Sequence, residues 1–435
     1  MSLLVDALYL VAAIVTAPVW FVGRALQGKP PIDLRARMGR VGTLAEPARP
    51  RILFHAVSVG EVNAIRGLVT RLAAEHEIVI ATTTDTGLAR AKALFGEQHP
   101  VVRYPLDFSW AVRRFLDATK PDAVALVELE VWPNFTRQCE RRGIAVAVIN
   151  GRLSDRSFPR YRRARPLVSP SFRRLSLIVA QDEPIAERFI AVGARPECVR
   201  VVGTMKWDNA LEGQEGLPAA ADKLAALLGI DRTRPLVVAG STGPGEEALI
   251  HAAVPKEVQL LVAPRKPERF DEAARILSPC VRRSQIKEGV PNSNVKTNRF
   301  LLDSIGELRA AYALADLIIV GRTFSNQLGS DMMEPIALGK AVIVGPDVRN
   351  FESVARALLD GGGMVQTTMQ HLPQIVAQLL ASPQRREQLA AAGLEVIRSK
   401  QGSVPEHARL LTDLMHARTS GSKAGSHAEA RSAQS

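Results

Sequence analysis

The residues best suited to chemistry in this chain are carboxylates placed at the ends of apolar runs. Arg51-Ile-Leu-Phe-His-Ala-Val-Ser-Val-Gly-Glu61 is a strand-like run that ends in a small-residue turn and a glutamate. Ala123-Val-Ala-Leu-Val-Glu-Leu-Glu-Val-Trp-Pro-Asn134 repeats the pattern and delivers Glu128, Glu130 and a Trp-Pro-Asn turn. Open α/β sheets bind ligands at the carboxyl ends of their parallel strands, and a carboxylate there can act as a general base. The alternative is that these glutamates cap the helices that follow, because negative charge is favoured at a helix N-terminus.

The second half of the chain carries a different set. Gly240-Ser-Thr-Gly-Pro-Gly-Glu-Glu247 lies between a strand and a helix, where small residues turn backbone N–H groups towards an anion. It lacks the lysine of a Walker loop and the spacing of a dinucleotide fingerprint, and an ordinary strand–helix turn is the alternative. Ala263-Pro-Arg-Lys-Pro-Glu-Arg-Phe270 adds Arg265, Lys266 and Arg269 after the next strand. Glu334-Pro-Ile-Ala reads as a helix start, with Glu334 free to meet ribose hydroxyls or to cap the helix. Asn150 to Arg165 is the densest basic stretch, interleaved with Leu153, Phe158 and Tyr161. It reads as contact with an amphiphile or acidic surface, or as a solvated face.

Positioning these residues takes alternating strands and helices. Ile52–Val57, Glu77–Thr83, a strand and loop from Val101, Asp122–Glu128, Ala145–Asn150 and Ser176–Ala180 read as strands. Gly60–Ala74, Asp85–Leu94 and Ser109–Ala118 read as helices between them. The pattern restarts with strands Pro235–Gly240, Val258–Ala263, Leu317–Val320 and Ala341–Gly345, and a helix over Ile305–Leu314. Such alternation predicts parallel, doubly wound sheets. The 435 residues exceed one core and make two domains, meeting near Gly203–Gly213.

The net charge of +12 and pI near 10.0 point to anionic partners. An aromatic content of 5% offers no stacking platform, and no basic–aromatic module is present, so nucleic acid is not expected as a partner. Cys139, Cys198 and Cys280 are far apart, which argues against a zinc site or disulfide framework. From Ala7 to Gly23 the chain is apolar, with Arg24, Lys29, Arg35, Arg37 and Arg40 following. Residues 1–25 are therefore expected to be a single N-terminal membrane anchor that leaves the body on the cytoplasmic face. An interfacial helix or a buried amphipathic one is the alternative. The tail over 419–435 is Ser-, Ala- and Gly-rich and is expected to be disordered.

Taken in order, these segments resemble the 3-deoxy-D-manno-octulosonic acid (Kdo) transferases of lipopolysaccharide core synthesis. The resemblance rests on His55-Ala-Val-Ser-Val-Gly-Glu61, Glu128-Leu-Glu-Val-Trp-Pro-Asn134, Asn150-Gly-Arg-Leu-Ser154, Gly203-Thr-Met-Lys-Trp-Asp208, Asp303-Ser-Ile-Gly-Glu-Leu308, Ala315-Asp316 and Glu334-Pro-Ile-Ala. It implies a GT-B glycosyltransferase of the α/β class, with two Rossmann-like doubly wound domains and an inter-domain cleft. Residues 26–205 would bind acceptor and 206–418 the nucleotide sugar. By the same resemblance, Glu61 is the catalytic base and Glu130 a second essential carboxylate. Ser58, Gly60, Arg152, Lys206, Ser241, Thr242, Arg265, Lys266 and Glu334 are the expected substrate- and nucleotide-binding residues. The implied partners are CMP-Kdo as donor, a phosphorylated lipid A precursor as acceptor and the inner-membrane surface. No metal or cofactor is expected, since a sugar–CMP phosphodiester leaves without demanding one.

Three donor-side positions depart from the family pattern. Gly243 stands where a histidine usually follows Ser-Thr, Lys266 replaces another histidine, and Gly329-Ser-Asp-Met-Met-Glu334 replaces Gly-His-Asn-x-x-Glu. Two further readings follow: the same scaffold with another nucleotide-linked sugar, or a non-enzymatic binder of acidic lipids.

Overall fold

The computed structural model describes residues 5–7, 9–11, 14, 16, 33–286 and 297–416. Most of the expected anchor and the whole 419–435 tail lie outside the described residues. Two compact units are present, 1–209 with 402–435, and 210–401. The sequence reading assigned everything from 206 to 418 to the second domain. Instead the chain returns to the first unit at Gly402, where a helix over 403–416 buries Val404, Ala408, Leu411 and Met415 among Ile52, Phe54 and Ile65.

The first unit holds seven strands, β1 (Arg51–Ala56), β2 (Glu77–Thr82), β3 (Val101–Arg103), β4 (Ala123–Val127), β5 (Ala145–Gly151), β6 (Leu177–Ala180) and β7 (Val199–Val201). Their order is β3-β2-β1-β4-β5-β6-β7, and every pairing is parallel. β1 and β4 are buried along their whole length, β4 being apolar throughout and β1 carrying only Arg51 and His55 as polar residues, because helices cover both faces of the sheet. Ile52, Leu53 and Phe54 are fully buried, and each such side chain contributes roughly 1.5–3 kcal/mol. The strand order reverses between β1 and β4, which register His55 against Leu126. That reversal is the switch point where open sheets bind ligands.

The second unit repeats the design with β8 (Leu236–Thr242), β9 (Gln259–Pro264), β10 (Val281–Arg282), β11 (Arg299–Leu301), β12 (Leu317–Val320), β13 (Ala341–Val344) and β14 (Val365–Gln366). The order is β10-β11-β9-β8-β12-β13-β14, again parallel, with the switch point between β8 and β12. The helix expected from Ile305 begins only at Leu308. Gly306, at φ 96°, holds the chain in a left-handed turn before it.

Among the described residues no helix is long and apolar enough to cross a membrane. Asp6 and Tyr9, expected within the anchor, are engaged with the first unit. Asp6 accepts from the Ser109 amide at 2.9 Å and from Asn134 Nδ2 at 2.9 Å, and the Tyr9 hydroxyl donates to Asp107 at 3.1 Å.

Candidate active site

In the first unit β1 runs straight into the turn Val57–Gly60 and the helix Val59–Ala64. Ser58 is its N-cap, with Oγ accepting from the Glu61 amide, and Glu61 reaches back to the turn. Glu61 Oε2 accepts from the Val57 amide at 2.8 Å and Oε1 from the Ser58 hydroxyl at 2.9 Å. This is a capping box. Burial nonetheless pushes the Glu61 carboxyl up to about 7, helped by Glu128 and Glu130 and opposed by the Val57 and Ser58 hydrogen bonds. A carboxyl poised near neutrality is tuned for proton transfer. Gly60 is exposed and its backbone does not require glycine, since an added Cβ would come no closer than 3.8 Å to Ser58 Oγ.

β4 delivers the other carboxylates through a left-handed residue, Glu128, at φ 63°. The Glu128 amide donates to Ile149 O at 3.0 Å, and the Arg152 amide donates to Glu128 O at 3.1 Å, so the end of β5 clamps this turn. Glu130 accepts from the Trp132 indole at 2.8 Å, and burial raises its carboxyl. Asn134 is structural. Its Nδ2 donates to Asp107 O at 2.7 Å as well as to Asp6, while the Asp107 carboxylate caps helix Pro133–Arg141 by accepting from the amides of Asn134 (3.0 Å) and Phe135 (2.7 Å).

His55 packs rather than transfers protons. Its ring stacks on Tyr104 with centroids 3.5 Å apart, and Nε2 lies 3.0 Å from Thr83 Oγ1. Burial, with Arg37 nearby, drives its pKa down to about 3. Arg152 is joined to Glu128 through its backbone. Lys206 begins helix Lys206–Ala210 and follows Thr204 and Met205, which donate to Asn150 Oδ1 at 3.1 and 3.2 Å. The basic stretch after Ser154 folds into helices Phe158–Arg163 and Arg165–Arg173.

In the second unit Ser241 and Thr242 end β8, with Ser241 left-handed at φ 57°. The amide expected to face an anion is partly spent: the Gly243 N–H donates to Glu246 at 2.9 Å. Glu246 is buried and also accepts from the amides of Arg322 (2.5 Å) and Phe324 (3.0 Å), tying the loop after β12 to the loop after β8. Its neighbour Glu247 pairs with Arg269 at 2.9 Å. Arg269 is thus internal, whereas Arg265 and Lys266 are exposed. The Arg265 amide donates to Thr242 O at 2.9 Å, joining the ends of β8 and β9.

Glu334, in helix Met333–Ala337, does not cap it; the N-cap is Met332, and Asp331 accepts from the Met333 amide at 2.8 Å in the turn that leads in. The Glu334 carboxyl is raised by burial and by Asp331, and lowered by Arg309 and Arg265. Tyr312 joins the same neighbourhood, hydrogen-bonded to Ser241 and close to Glu334 and Arg265. A Cβ at Gly240 would lie 2.1 Å from the Tyr312 hydroxyl, so glycine is required there. Ser241, Arg265, Arg309, Tyr312 and Glu334 therefore converge, and Lys266 has no described contact with them. Sequence reasoning missed Tyr312, Arg309 and Asp107, which sit in segments read only as helix or loop.

Two parallel sheets, each with its polar residues gathered at the switch point, define the GT-B class of glycosyltransferase. Solved structures share the fold. A glycosyltransferase from Rickettsia africae aligns over 85% of this chain and 98% of its own with a TM-score of 0.59 at 11% identity. HepE from Anabaena, in complex with UDP and glucose, aligns over 84% and 99% with a TM-score of 0.55 at 16% identity. A family model described as 3-deoxy-D-manno-octulosonic-acid transferase matches residues 33–209. The 3-deoxy-D-manno-octulosonic acid transferase of Haemophilus influenzae is 34% identical over 85% of this chain and 88% of its own. That of Bordetella pertussis is 32% identical over 86% and 90%. The chain belongs to the Kdo transferase family and is a glycosyltransferase.

Proposed function

We propose that this enzyme transfers Kdo from CMP-Kdo to a phosphorylated lipid A precursor with inversion, and that Glu61 is its base. The observation that carries the reading is the Glu61 carboxyl at the β1–β4 switch point, held near neutrality by burial and two neighbouring glutamates. Glu61 takes the proton of the acceptor hydroxyl as that oxygen attacks the anomeric carbon of Kdo. The bond from that carbon to the phosphate oxygen breaks, and CMP departs with the electron pair. Glu130, with one oxygen already fixed by Trp132, orients the acceptor alongside Arg152. Ser241, Thr242, Arg265 and Glu334 hold CMP, with Arg265 on phosphate and Glu334 on ribose, and developing negative charge is stabilised by fixed cations.

Attachment to the inner-membrane surface fits exposed Leu10, Val11 and Ile14 in the N-terminal helical segment and the cationic helices Phe158–Arg163 and Arg165–Arg173. A second reading, another donor on the same scaffold, is favoured by the loop at Gly243. An added Cβ there would fall 2.2 Å from the end of the Gln327 side chain, which fills the space beside the position where the family pattern places a histidine. Incubating the full chain with CMP-Kdo and lipid A precursor should release CMP and give a Kdo-bearing lipid. Folded protein that turns over a different CMP- or UDP-sugar and leaves CMP-Kdo intact would select the second reading.

A further inference from the structure

His407, on the helix over 403–416, is fully buried in the first unit, 257 residues from the backbone it touches. Its Nδ1 lies 2.8 Å from Ser403 O, so Nδ1 carries the proton and Nε2 keeps its lone pair. That lone pair accepts the Asn150 N–H at 3.0 Å. Asn150 needs such an acceptor. Pairing of β5 with β6 slips between Val148 and Gly151, and Asn150 itself is left-handed at φ 49°. Its amide is thereby turned out of the ladder, and a buried N–H without a partner is costly.

Asn150 sits between the two residues that clamp Glu128. Ile149 O takes the Glu128 amide at 3.0 Å, and the Arg152 amide reaches Glu128 O at 3.1 Å. Left-handed Glu128, in the turn just past β4, is thus bonded on either side of left-handed Asn150 on β5, and His407 supports the latter. The helix that carries His407 is itself fixed in place. Asp208 accepts from the amides of Gly402 (2.8 Å), Ser403 (3.0 Å) and Val404 (3.2 Å) at its start.

We infer that His407 is a positioning residue for transfer: by holding the Asn150 amide it sets the Glu128 turn, and with it the placement of Glu130 beside Glu61. The inference rests on the function proposed above. His407→Leu keeps the bulk and removes the acceptor, His407→Gln restores an acceptor oxygen, and Leu411→Ala perturbs the same helix without touching Asn150. In the full-length enzyme, His407→Leu should lower kcat by roughly ten- to a hundredfold at unchanged KM for CMP-Kdo. His407→Gln should recover most of that loss, and Leu411→Ala should stay within about threefold of wild type at a comparable fall in Tm. Hydrogen exchange should quicken at 128–130 and 149–152 in the Leu variant alone. Equal kcat losses in His407→Leu and Leu411→Ala, or a Gln variant no better than Leu, would overturn the inference. If the wild type moved no Kdo, the proposed function would fail by itself. Exchange at 128–130 would then decide the positioning role, with unchanged rates in His407→Leu overturning it.

Discussion

Glu61 offers a test in which two substitutions should act in opposite directions. Its carboxyl stands at about 7 against an ordinary 4.5, a difference equivalent to roughly 3 kcal/mol. Burial is the largest cause, Glu128 and Glu130 add to it, and hydrogen bonds from Val57 and Ser58 offset part of it. Ser58→Ala removes a donor 2.9 Å from the carboxylate. A bond of that type is worth about 1–2 kcal/mol, so the pKa should rise by roughly 0.7 to 1.5 units. Glu128→Gln removes a like charge and should lower it by about half a unit. A base works only when deprotonated, so kcat/KM for Kdo transfer should fall as pH drops through about 7. The acidic limb should move up in Ser58→Ala and down in Glu128→Gln, without either variant returning to the ordinary carboxylate range. Ser58→Ala also loses a helix cap worth about 1 kcal/mol, so its folding is checked by thermal melting. Limbs that stay where the wild type has them, or that both move one way, would refute the assignment of Glu61 as base.

Other expectations follow from the same contacts. Asn134→Ala should cost about 2 kcal/mol in chemical denaturation, because it strips Nδ2 bonds to Asp107 O and Asp6 and takes the donor from the buried Asp107 carbonyl, while Asp6 keeps the Ser109 amide; an unchanged midpoint would contradict the clasp described for this residue. Arg265→Ala and Glu334→Gln should each weaken CMP binding by about tenfold or more in calorimetry. Unaltered affinity in both would remove the second unit's switch point as the nucleotide site.

The strands were legible because parallel strands buried on both faces are continuous apolar runs: Leu317–Val320 is found where its sequence places it. β7, β10, β11 and β14 were not, since two or three residues make too short a run to stand out. The glutamates of the switch point were legible as carboxylates following strands. Their roles were not separable, because Glu61 is both a capping-box residue and a perturbed carboxyl, and only three-dimensional burial distinguishes the second property. The helical spacing of Val404, Ala408, Leu411 and Met415 is readable, but spacing does not say which core receives it. The Asp107–Asn134 clasp and the His407–Asn150 bond join segments that no local pattern links.

The most direct test of the account is a single-turnover comparison of wild type and Glu61→Gln with CMP-Kdo and lipid A precursor, with CMP affinity measured in parallel. The amide cannot accept the hydroxyl proton, so transfer should slow by about a hundredfold or more while CMP binds as before. Near-normal transfer by Glu61→Gln would show that another group takes the proton, and the reading of the first unit's switch point would fall with it.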